Sequence, residues 1–179
     1  KNHEWTAAAA DGNVYTGAEV TSEGFQIFGL NPYQKYSAGI ACYVNGNNWM
    51  QDNFDNWDNN MDLAGITNGG VVGFKYFGFG GLARDTKGVK AFAGTAKGDH
   101  TMLNLQLTPG GHGSVRIHVM LDGPYANDTW KGREIAVIDI PADARQERAT
   151  YSVPVPAVEG LKGKHALYLV TEGADLKPT

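Results

Sequence analysis

The chain has 179 residues, 24 of them glycine, with 19% charged residues and a formal net charge of −4 at pH 7. That length suits one β-sandwich with an extra segment, and the glycine-rich, charge-poor composition suits turn-rich β structure better than a helical bundle. With no cluster of Lys and Arg along the chain, nucleic acid and anionic membrane are disfavoured as partners and a neutral partner fits better.

No apolar run reaches the roughly twenty residues that a membrane helix needs. The sequence opens at Lys1 with neither a methionine nor a signal peptide, which predicts a processed or excised fragment. Residues 1–30, with an alanine run at Ala7–Ala10, read as a linker or the tail of a preceding domain, and residues 31–179 as the sandwich. Cys42 is the lone cysteine; it reads as a free core thiol, with no disulfide framework around it.

Next comes a polar stretch, Asn45 to Asp62, that predicts a long loop. It carries Trp49, Phe54 and Trp57, three large aromatics among Asn and Asp. Exposed, they would stack on the apolar faces of sugar rings while neighbouring amides and carboxylates bond the hydroxyls. Folded back, they would cover the sandwich edge. Asp52, Asp55, Asp58 and Asp62 in the same loop are weak candidates for calcium, because their spacing lacks the alternate-position ligands and turn glycine of a calcium hand; Asn and Asp capping their own turns is the other reading.

Period-two alternation predicts the strands that follow. Val72, Phe74 and Tyr76 share one face of the first, Val89, Ala91 and Ala93 of the second, and Leu103, Leu105 and Leu107 of the third. In the fourth, Val115, Ile117, Val119 and Leu121 face one side and Ser114, Arg116 and His118 the other. Ala136, Ile138 and Ile140, then Val153 and Val155, then Leu167 and Leu169 complete the set. Pro109-Gly110-Gly111, Asp122-Gly123-Pro124 and Leu161-Lys162-Gly163 are turn signals between them. The fold class is all-β, a jelly-roll-like sandwich of two antiparallel sheets.

The segment Gly123–Trp130 is a second candidate surface. Tyr125 is expected to be exposed, Asn127 and Asp128 lie beside it, and Trp130 serves packing or binding equally well. Arg145 and Arg148 offer stacking or hydrogen bonds to a sugar, or are solvated. An enzyme would need its own acid and base. Glu134 and Asp139, five residues apart in one strand, fall on opposite faces. The five histidines follow no zinc pattern, and His118 and His165 read as surface or satisfied-core residues. Catalysis is not expected.

Several stretches resemble the family-six type of carbohydrate-binding module. Trp130–Ile135 is similar to its "W-K-G-x-x-I", Ser152–Val155 to its "S-V-P-V", Gly163–Val170 to its "G-x-H-D-L-Y-L-V", and Ile66–Gly80 to its "I-x-N-G-D-Y-V-x-Y-x-x-V-D-F-G". Leu30-Asn31-Pro32-Tyr33 resembles the junction at which a family-forty-three glycoside hydrolase passes into such a module. The resemblance implies a noncatalytic module of a bacterial plant-cell-wall enzyme, secreted, periplasmic or on the cell surface. It would bind xylan-like polysaccharide or oligosaccharide beside a tethered catalytic glycosidase domain. The alternative is a structural domain that packs on the glycosidase and binds no sugar. The family's calcium ligands would fall on Ser37, Gly39 and Ala166, so that site is expected to be lost. Its stacking tryptophans of "G-G-W-Q-x-W" would fall where Ala142–Arg148 stands. Its closing strand after "L-Y-L-V-F" has no counterpart before Thr179. Either that strand comes from elsewhere, such as the N-terminal segment, or the sequence is incomplete, which would leave a sheet edge open to pairing.

Overall fold

The computed structural model describes residues 7–8, 14–15, 30, 32–33, 35–45, 49–52, 61–79, 101–110 and 113–173. The described strands are β1 (Ala7–Ala8), β2 (Val14–Tyr15), β3 (Tyr43–Asn45), β4 (Trp49–Asp52), β5 (Met61–Ala64), β6 (Val71–Phe79), β7 (Met102–Leu107), β8 (Val115–Leu121), β9 (Arg133–Ile140), β10 (Ala149–Pro154) and β11 (Gly163–Gly173). Short 3-10 turns at Ala38–Ile40 and Pro156–Val158 lie between described strands. Every strand pair is antiparallel.

The main sheet has five strands in the order β3-β6-β11-β8-β9, and β10 pairs with β7 in the facing layer. Alternation drives this arrangement: Val115, Ile117 and Val119 from β8 and Ile138 and Ile140 from β9 are buried on the inner face. They pack against Leu103, Leu105, Leu107, Tyr151 and Val153 from the facing pair. Burying each such side chain contributes about 1.5–3 kcal/mol relative to leaving it in water. Phe79, Val155 and Val158 extend the core at one end, with Tyr33 and Phe77 against them. The result is the expected all-β sandwich of two antiparallel sheets.

Leu30 is already part of it, since its N–H donates to the Tyr76 carbonyl at 2.7 Å and its carbonyl accepts from Gly78 N at 2.9 Å. Lys35 Nζ donates to Gln106 Oε1 on β7 at 2.8 Å. The candidate strand at Val89, Ala91 and Ala93 lies outside the described residues. β11 is flanked by β6 on one side and β8 on the other, so both of its own edges are paired.

Two irregularities change which residues face outward. Between His165 and Leu167 the pairing with β6 steps from Phe77 to Phe74, so that three steps on β6 oppose two on β11. This bulge reverses the alternation. Tyr76, expected on the face of Val72 and Phe74, turns outward to pack with Tyr168, while Phe77 turns in. On β9, Val119 pairs with Ala136 but Met120 pairs with Glu134. The extra residue there is Ile135, and it corrects a second expectation: Glu134 and Asp139 project from the same outer face, beside His118 and Arg116 respectively. β-bulges insert one residue and re-aim the side chains beyond it.

Three local expectations also give way. Val155 lies just past the end of β10, though it is buried. Trp130 of the "W-K-G-x-x-I" stretch, which in the resembling modules begins a strand, here precedes the start of β9 at Arg133. Cys42 is exposed, on the bend leading into β3, its Sγ 3.4 Å from the Gly73 carbonyl.

Candidate functional site on the outer face of the main sheet

The outer face of the main sheet carries an aromatic group at one end and a charged lattice at the other. Val71, Met120, Ala166 and Tyr168 are buried there, with Tyr43, Tyr76 and Val170 around them. Gly73 makes this possible: a Cβ on it would lie 2.6 Å from Tyr168 Cε1 and 3.0 Å from Tyr43 Cβ. With only hydrogen at Gly73, the Tyr168 ring crosses the strand and meets Tyr43 edge-on at 6.1 Å.

The β8–β9 connection, residues 122–132, folds back toward this group. Asp122 and Lys131 adopt left-handed backbone at φ 66° and 54°. Gly132 N donates to the Tyr125 carbonyl at 2.8 Å, and Lys131 N to the Asn127 carbonyl at 2.7 Å. Asn127 Oδ1 accepts from Trp130 N at 2.9 Å, closing an Asx-type turn. Pro124 is among the most deeply buried residues. The loop thereby sets Trp130 edge-on to Tyr43 at 6.0 Å, and leaves Tyr125 and Trp130 at 38% and 39% exposure. Large aromatics held open in this way are surface that water disfavours and a sugar ring would cover.

Toward the other end of β11, His118 bridges two strands. Its Nδ1 lies 2.6 Å from Glu134 Oε2 on β9 and its Nε2 2.8 Å from Glu172 Oε2 on β11. Arg116 Nε donates to Asp139 Oδ1 at 3.1 Å beside it. Two carboxylates around one ring favour the imidazolium, which donates from both nitrogens. The His118 pKa is therefore raised, first by the hydrogen bond to Glu134, with burial opposing, and then by Glu172 and both carboxylate charges. A group with a raised folded pKa stabilises fully below the ordinary histidine value and loses that contribution as pH rises through the raised one. Thermal unfolding followed from pH 6 to pH 9 should show a decline of about 1 kcal/mol or less, as partly exposed pairs are screened by water. The His118→Gln chain should lack the decline; its persistence there would assign it to another group.

The residues singled out in the sequence fall in different places. Tyr125, Asn127, Asp128 and Trp130 share the loop just described, with Asn127 engaged in its turn and Asp128 exposed. Trp49 and Asp52 lie in β4, where the backbone pairs with Ala64 and Met61 of β5. Phe54, Trp57, Asp55 and Asp58 lie outside the described residues. Asp62 forms an ion pair with Arg148. That pair ties β5 to the turn at 141–148, the place where the family resemblance puts the stacking tryptophans. Arg145 is 86% exposed and 3.5 Å from Glu147, a solvated turn residue.

The positions that the resemblance gives to calcium do not fit a cation. The Ser37 hydroxyl accepts from Gly39 N at 3.1 Å to cap the 3-10 turn, and the Ala166 side chain is packed in the apolar group beside Tyr168. Hard cations want several oxygen ligands with carboxylate charge. Asp122, an acid beside Ala166, accepts from Ala166 N at 3.2 Å and from His165 Nδ1 at 2.9 Å.

Sequence reading missed Tyr43, Tyr76 and Tyr168 as members of one surface. Their link is the bulge in β6 and the bare backbone at Gly73, and of these only the "G-F-K-Y-F" run was visible in advance.

No family model matches the sequence, and no curated protein matches it either. Among solved structures, the chain is similar to a family 6 carbohydrate-binding module from Clostridium cellulolyticum in complex with xylose. The identity is 17% and the TM-score 0.55, over 82% of this chain and 90% of that one. It is also similar to a glycoside hydrolase family 43 arabinoxylan arabinofuranohydrolase from Bacillus subtilis in complex with cellotetraose. There the identity is 18% and the TM-score 0.59, over 94% of this chain and 30% of the hydrolase. The β-sandwich built from these strands is the fold of a family 6 carbohydrate-binding module.

Proposed function

We propose that the chain is a noncatalytic polysaccharide-binding module, and that the loop at 122–132 presents its sugar platform. The observation that carries this reading is Trp130, 39% exposed yet held edge-on to Tyr43, with Tyr125 exposed in the same loop. Asp128 lies within the same loop to accept from sugar hydroxyls. The fold supports a carbohydrate partner, as the two similar structures hold xylose and cellotetraose. Xylan-like chains are the expected ligands. The module would act outside the cytoplasm, secreted, periplasmic or on the cell surface, where such polymers are met. It would keep a tethered glycosidase near its polymer by raising the effective concentration.

A noncatalytic role suits the outer-face acids. Glu134 and Glu172 share one imidazole, and Asp139 is paired with Arg116. Glycosidase chemistry needs one carboxyl held protonated and a second free to act.

Affinity electrophoresis of the isolated chain in gels with arabinoxylan, arabinan and mixed-linkage glucan tests the proposal. Retardation by at least one polymer, unchanged by chelator, is the expected result. Free migration in all of them would refute it and favour a structural accessory domain that packs on the glycosidase, a role that suits the Asp62–Arg148 pair at the family's usual stacking position.

A further inference from the structure

Two lysines from neighbouring strands meet at one ring of the outer face. Lys75 of β6 and Lys164 of β11 hold their Nζ atoms 5.9 and 5.8 Å from the centroid of Tyr76. Both are exposed. Among the described residues no carboxylate pairs with either ammonium, although Arg116 and His118 on the same sheet face are closely paired with carboxylates. The β6 bulge creates the arrangement, since it turns Tyr76 out to the face where both ammoniums reach its ring.

A π face attracts each cation and so places it, but the ring carries no net charge to neutralise it. Two like charges at one ring repel each other, more strongly beside apolar side chains than in open water. In a chain of net charge −4, this is an unneutralised positive spot. An anion bound at this ring would be attracted by both ammoniums and gain a charge-assisted hydrogen bond from the one it touches.

The position indicates what would carry that anion. Tyr76 packs into the group that holds Tyr168, and Tyr168 meets Tyr43, on which Trp130 is set. Lys75 lies near enough to Tyr168 to pull its phenol pKa down against the burial that raises it. The lysine pair thus sits at the far end of the aromatic row that begins at Trp130.

We propose that Lys75 and Lys164 form a subsite for the carboxylate of a uronic-acid unit, so that the module prefers acidic xylan-type chains over neutral ones. This rests on the sugar-binding reading of the Trp130 platform. The carboxylate would come from a unit within the polymer; a free anion is the other source of the same chemistry.

The test compares the full chain and its Lys75→Gln/Lys164→Gln variant in gels with neutral arabinoxylan and with glucuronoxylan, at low and high salt, and with free glucuronate as competitor. The wild-type chain should bind the acidic polymer about tenfold more tightly at low salt, and the preference should shrink as screening grows. The variant should keep its neutral binding and lose the preference, and Lys75→Glu/Lys164→Glu should invert it. Both lysines are exposed, so unchanged melting temperatures are expected. Equal binding of the two polymers by the wild-type chain, or a preference that survives the double variant, would overturn the subsite while leaving the platform standing. Loss of all binding to millimolar glucuronate would also overturn it, because a free anion would then suffice. Migration unaffected by either polymer would sink both proposals.

Discussion

Gly132→Ala should lower the unfolding temperature by about 6–12 °C, the equivalent of about 3 kcal/mol for a chain of this length. A Cβ at this position would stand 2.0 Å from the Gly123 carbonyl oxygen, 2.5 Å from its carbon and 2.9 Å from the Tyr125 carbonyl oxygen. All three are backbone atoms, so no rotamer change relieves the overlap and the two arms of the 122–132 loop must part. That would break the Gly132–Tyr125 hydrogen bond and loosen the loop that buries Pro124. Scanning calorimetry of the two chains measures the effect. A fall of less than about 2 °C would show that the arms separate without cost, and that the close backbone approach does not anchor the loop.

Trp130→Ala should weaken retention on the bound polymer about 30-fold, or about 2 kcal/mol, the loss typical of a central aromatic anchor. Its stability cost should be smaller, because the indole is 39% exposed and gives up mainly its edge contact with Tyr43. Tyr125→Ala should reduce binding by a lesser factor. Measuring affinity and melting temperature on the same preparations separates the two roles of Trp130. Unaltered affinity together with a lowered melting temperature would assign the indole to packing against Tyr43.

The inner layer was legible because alternation is a direct report of burial: Val115, Ile117, Val119, Ile138 and Ile140 are core in the structure as in the pattern. The outer face was not, and the reason lies in two single-residue steps. Counting by twos through β6 keeps Tyr76 with Phe74, and through β9 it separates Glu134 from Asp139; one extra residue in each strand undoes both. Alternation encodes the facing of a strand relative to itself, whereas a bulge exists only relative to the partner strand. His118 could be seen to point away from the core, but not that carboxylates from two other strands would close on it. Tyr125 could be read as exposed from its turn-rich surroundings, and it is. The equal exposure of Trp130 depends on where the loop folds back, which local sequence does not state.

The close approach of Gly123 to Gly132 has a kinetic consequence. A loop already locked by backbone contacts has few conformations to give up when a ligand arrives, so the unfavourable entropy of ordering a binding segment is small. Encounter then resembles docking onto a rigid patch, with association limited by orientation, and differences among ligands fall on the dissociation rate. A pre-set platform of this kind would release a bound sugar segment as readily as it captures it, so that binding is quick to form and quick to break.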